Sequence, residues 1–127
     1  MKTSFGDRAF QLWEYQVSHG QLLIRSPKTP AIGTSPEQFT NIDLVYLGVE
    51  YIAAPRHLQG LELGAPTSDE IQHIETILGR TITPNNIMIL VSGGKRFSIV
   101  ASSLTISEND WDIFESPFEF RSQFRAK

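Results

Sequence analysis

TSDEIQHIETILGRTITPNNIMILVSGGKRFSIVASSLTI, residues 67–106, carries one capped helix feeding one hairpin, and its reading decides the fold. Thr67 followed three residues later by Glu70 is a capping box, in which each side chain satisfies a backbone N–H that the first helical turn leaves open. Gly79 supplies the stop, because only glycine enters the left-handed region without a Cβ penalty. Between them Ile71, Ile74, Ile77 and Leu78 recur on one stripe, with Gln72, Glu75 and Thr76 opposite, which predicts an amphipathic helix over 68–78. Asp69 and Glu70 complement the positive end of its dipole. Pro84-Asn85-Asn86 interrupts the chain, and Ile87–Val91 then reads as an interior strand. Phe97–Val100 is its partner across Ser92-Gly93-Gly94-Lys95, where two glycines accept positive φ. Leu104 and Ile106 fall on the opposite parity to Phe97 and Ile99, which places a bulge or bend at 101–103.

Towards the N-terminus, Phe10–Val17 alternates, with Trp13, Tyr15 and Val17 on one face and Glu14 and Gln16 on the other. Ser18-His19-Gly20 breaks that pattern and Gln21–Arg25 resumes it, predicting a first hairpin with Gly20 in its turn. Residues 26–40 hold Pro27, Pro30, Gly33 and Pro36 among serines and threonines, and read as a long loop. Ile42–Ile52 is the longest strand candidate, with apolar residues on both faces for part of its length. Ala54–Pro66, containing Arg56, His57, Gly60, Glu62 and Gly64, reads as a second loop.

The predicted order is β-β-β-α-β-β, one α+β domain over residues 1–106, followed by an aromatic, charged C-terminal tail over 107–127. Hairpin connections make the sheet antiparallel-rich. Five strands at about 4.8 Å spacing span roughly 20–25 Å, whereas one helix is only about 10–12 Å across. One helix therefore cannot cover the sheet alone. The expectation is a curved or barrel-like sheet of about five strands, helped by the tail or by another chain.

Composition narrows function by exclusion. With no cysteine among 127 residues, disulfides, thiolate catalysis and Cys-ligated metals are ruled out. A formal charge of −3 gives no basic footprint for nucleic acid. No signal peptide or membrane-spanning run is legible, so the expected setting is cytoplasmic, away from membranes. Histidines 19, 57 and 73 show no metal-binding spacing, and no cofactor motif occurs. Ser92-Gly93-Gly94-Lys95 lacks the spacing and the following helix of a phosphate loop. No nucleophile elbow is present, so a serine hydrolase of that type is not indicated, and nothing specific in the sequence supports catalysis.

The tail stands apart. Glu108, Asp110, Asp112, Glu115 and Glu119 lie within 107–119 without a base, while Arg121, Arg125 and Lys127 follow without an acid. Trp111, Phe114, Phe118 and Phe120 are interleaved with these charges, a pattern of anchors and polar rim that suits an interface. The same rings also suit ordinary packing on their own sheet. The expectation is a scaffold or inhibitor-like domain binding a protein partner, with possible homodimerisation. Its anchors would be Trp111, Phe114, Phe118 and Phe120, with Asp110, Asp112 and Glu115 as the steering rim. The alternative is a small-molecule or anion site, or an enzyme, on the loops around Arg56, His57 and Glu62.

Overall fold

The computed structural model describes residues 3–31, 33, 37–112 and 115–118. Eight strands and one α-helix follow in the order β1 (Ser4–Gln16), β2 (Gln21–Ser26), β3 (Asn41–Leu47), β4 (Tyr51–Ala53), β5 (His57–Gly64), α1 (Ser68–Leu78), β6 (Ile87–Ser92), β7 (Lys95–Val100) and β8 (Ser103–Asn109). All strand pairs are antiparallel and form one sheet of order β4-β7-β6-β5-β1-β2-β3-β8. That order has two free ends. The expected barrel-like sheet of about five strands is therefore corrected to an open sheet of eight.

Three strands account for the difference, each for a physical reason. The predicted strand 42–52 is two strands, because Gly48 turns the backbone at φ 66°. A Cβ there would sit 2.4 Å from Ser102 Oγ, so the close approach requires glycine. The opposing chain breaks at Ala101-Ser102, separating β7 from β8 where the parity switch placed a bend. The third addition is β5, whose residues were read as loop. Gly60, at φ 73°, puts Leu58 and Leu61 on the same core although they are three residues apart. That spacing hides the period of two. Opposite it, β1 carries extra residues between Phe5, paired with Leu61, and Ala9, paired with Gln59.

Another bulge corrects the reading of β1. The register shifts between Leu12 and Glu14, so Tyr15 pairs with Leu22, a core residue, while Trp13 lies against Arg25 on the other face. A one-residue insertion moves every later side chain across the sheet. Trp13 and Tyr15 consequently part company.

The helix is built as its sequence specifies. Thr67 and Glu70 complete the capping box, and Gly79 closes the C-terminus at φ 72°. Ile74 is buried against Ile82, Ile87, Ile89 and Val100, with Ile71 and Leu78 at the margin. Ile77 is 48% exposed, since it lies about 60° around the helix beyond Ile74, away from Ile71 and Leu78. The turn Gly93-Gly94 joins β6 to β7 with positive φ at both positions, the signature of a type I′ hairpin. Gly20 closes the first hairpin in the left-handed conformation after a 3₁₀ turn at Val17–His19.

The larger core lies on the opposite face. Phe10, Leu22, Ile24, Leu44, Tyr46, Leu58, Leu90 and Ile99 meet there, drawn from β1, β2, β3, β5, β6 and β7. Each large side chain buried there contributes about 1.5–3 kcal/mol. Helix α1 covers the outer face of β6 and β7. Residues 110–112 and 115–118 do the same work over β2 and β3.

Candidate functional site

Arg25 and Asp43 lie opposite each other in the β2–β3 register, Arg25 after Leu22-Leu23-Ile24 and Asp43 between Ile42 and Leu44, each fully buried. The guanidinium donates from Nε to Asp43 Oδ1 at 2.6 Å and from Nη2 to Oδ2 at 2.9 Å. Its Nη1 reaches the carbonyl of Glu115 at 2.9 Å, and its plane lies 5.4 Å from the Trp13 ring centroid. Asn109 donates to Asp43 Oδ2, and Asn41 donates both to Asn109 Oδ1 and to the Trp111 carbonyl, each at 2.9 Å. Lys28 Nζ donates to the carbonyl of Asp110. A buried charge is tolerated only when paired and hydrogen-bonded, and removing one partner typically costs about 3–5 kcal/mol. Here the acceptor that completes Arg25, the Glu115 carbonyl, comes from the tail. Residues 110–112 and 115–118 are thus tied across the outer face as a strap.

This placement sorts the residues expected at the interface. Asp110, Asp112 and Glu115 are exposed on the strap, and Glu108 is exposed on β8 beside them. Trp111 is half-buried; with Trp13, Pro27, Lys28, Asn41 and Arg25 it lines a small cavity of about 100 Å³. Phe118 is 2% exposed, its backbone N–H donating to Ser116 Oγ. Phe114 and Phe120 lie outside the described residues.

The alternative site does not assemble. His57 begins β5 and Glu62 lies within it, Arg56 immediately precedes it, and all three are exposed. His57 and Glu62 are five residues apart on one strand, about 16 Å at the usual rise. The Arg56 carbonyl accepts from Leu12 N, an architectural bond. None of the three lines the cavity at Trp111. Among the described residues no group of three or more metal-ligating side chains comes together, and no helix is long and apolar enough to cross a membrane.

Arg8 was not singled out by the sequence, nor were Arg25, Asn41 and Asp43. Arg8 is 7% exposed and donates from Nε to Ser26 Oγ, and from Nη2 to the carbonyls of Ser26 and Thr40. It thereby clamps the base of the β2–β3 connection. That connection also pairs Thr29 with Gln38 through two backbone hydrogen bonds, short regular structure where a loop was expected. Burial pushes the Arg8 guanidinium down from its ordinary value, against the opposing pull of Asp7 and Glu108. A signal for the other pair was present. Arg25 follows Leu22-Leu23-Ile24 and Asp43 interrupts Ile42 and Leu44, so each adjacent strand carries one opposite charge among apolar residues.

Comparison of the chain with protein families, with curated proteins and with solved structures found no match.

Proposed function

We propose that the protein is a non-catalytic interaction domain whose strap face binds a protein partner bearing a basic surface. The observation that carries this reading is the strap itself. It holds Asp110, Asp112 and Glu115 outward, around the half-buried Trp111, on a segment fixed by buried polar bonds. A fixed acidic rim raises the association rate with a positively charged partner and suppresses like-charged ones. The cavity between Trp13 and Trp111 suits one apolar side chain of that partner, and tryptophan-lined pockets at the centre of a polar rim are where binding energy concentrates. Phe118, inside the chain, serves this reading by holding the strap down.

A photo-reactive residue placed at Asp112 in the producing cells tests the proposal, with Gln72 on the exposed side of α1 as control. The expected outcome is a cross-link from position 112 to a protein with a basic surface, absent from position 72. Reversing Asp110 and Glu115 to lysine should abolish it. Equal cross-linking from both positions, or indifference to charge reversal, would remove the support for a strap-face partner.

A further inference from the structure

A cleft of about 330 Å³ lies at the foot of the β2–β3 connection, lined by Asp7, Arg8, Ala9, Ser26, Pro27, Thr29, Gln38 and Gln59. We propose that this cleft binds a small carboxylate that also carries an ammonium group, with Arg8 as the anion anchor and Asp7 as the partner of the cation.

Arg8 is a largely buried cation without an ion pair among the described residues. Among the described residues no carboxylate lies within 4 Å of it, its three hydrogen bonds go to a hydroxyl and two carbonyls, and its Nη1, which still touches solvent, has no protein partner. Burying an unpaired guanidinium is costly, and neutral acceptors offset that cost only in part. An oxyanion in the cleft would complete it.

The backbone is shaped to put it there. Residues 6–8 of β1 stand against the single residue Gly60 of β5 at the register shift. The shift depends on Gly60, since a Cβ there would meet the Gly6 carbonyl oxygen at 3.1 Å. Bulges of this kind re-aim side chains beside binding sites. The remaining lining, Thr29, Gln38 and Gln59, offers neutral donors and acceptors, and the volume lies at the small end of the range for small-molecule sites, roughly 300–1,000 Å³. Asp7 in the lining, with Glu108 close enough to act on Arg8, disfavours a multiply charged anion such as phosphate. The same acids favour a ligand whose second group is positive.

Alanine and propionate differ only by the ammonium group, so they form a matched pair of probes. Backbone amide shifts of the full chain are followed by NMR during titration with alanine, propionate and inorganic phosphate. The expected result is saturable shifts at Ala9, Ser26 and Gln59, with alanine bound more tightly than either other probe. Asp7→Asn should weaken alanine about three- to five-fold, the scale of a partly exposed charge pair, while sparing propionate. Arg8→Lys should abolish saturable binding. Because Arg8 also holds the β2–β3 connection, Gln59→Ala, at an exposed position, serves as a second variant and should weaken all three probes. Absence of saturable shifts with every probe would overturn the proposal. So would phosphate binding more tightly than alanine, or an Asp7→Asn variant that binds alanine unchanged.

Discussion

Tyr46 sits at the centre of the larger core with no exposed surface, and its hydroxyl is the one buried side-chain polar atom without a hydrogen-bond partner among the described residues. Burial raises its phenol pKa well above the ordinary value, because ionisation there would strand a charge among Phe10, Leu22 and Leu44. An unmade buried hydrogen bond costs about 1–3 kcal/mol, whereas removing the polar atom at constant shape removes that cost. Tyr46→Phe is expected to stabilise the protein by about that amount, read as a raised midpoint in urea unfolding. Arg25 lies at the other extreme: every nitrogen is used, on Asp43 of β3 and on the Glu115 carbonyl of the strap. Two polar residues buried to the same degree thus act in opposite directions. Truncating Arg25 would leave Asp43 unpaired, while truncating the Tyr46 hydroxyl leaves nothing behind.

At the scale of elements, α1 is joined to the sheet by charge as well as by its isoleucine stripe. Arg96 on β7 donates to both carboxylate oxygens of Glu70, at 2.9 and 3.0 Å, and to the Ala65 carbonyl. That hydrogen bond, chiefly, with the bonds from Thr67, lowers the Glu70 pKa from 4.5 to about 2. A carboxylate whose folded pKa is depressed contributes stability above its unfolded value and loses it as pH falls through the folded one. The contribution is therefore present above about pH 4.5 and fades towards pH 2. Glu70→Gln keeps the reach needed for the capping box and removes the charge. Its thermal midpoint should fall below that of the natural chain at neutral pH, and the two should converge on acidification to about pH 2; a constant gap would assign the loss to packing. The helix and both hairpin turns were legible because their signals are local: Thr67, Glu70, Gly79, and the glycines at 20, 93 and 94. Strand β5 was not. Its period is broken at Gly60 by a contact with Gly6 from a distant part of the chain, and the faces of β1 are exchanged by a bulge at Trp13 that no local pattern announces.

At the scale of the molecule, two separate pieces cover the outer face of the open sheet. Helix α1 buries the isoleucines of β6, and the strap buries the ion pair of β2 and β3. Acidic and aromatic composition made the tail conspicuous in sequence, yet among its described residues Phe118 and the acids have different tasks. Phe118 turns inward to hold the strap, and Asp110, Asp112 and Glu115 remain outward. The buried residues that receive the strap, Arg25, Asn41 and Asp43, are far from it in the chain, so their part in the site becomes visible only in the folded sheet. The central claim is that this segment belongs to the fold and presents a fixed acidic face. Urea unfolding of two variants side by side, Phe118→Ala and the triple reversal of Asp110, Asp112 and Glu115 to lysine, tests it most directly. The account predicts a loss of about 3–5 kcal/mol for Phe118→Ala, as for other buried phenylalanines, and less than about 1 kcal/mol for the triple reversal. A Phe118→Ala variant as stable as the natural chain would contradict it, since the strap would then contribute nothing to the fold.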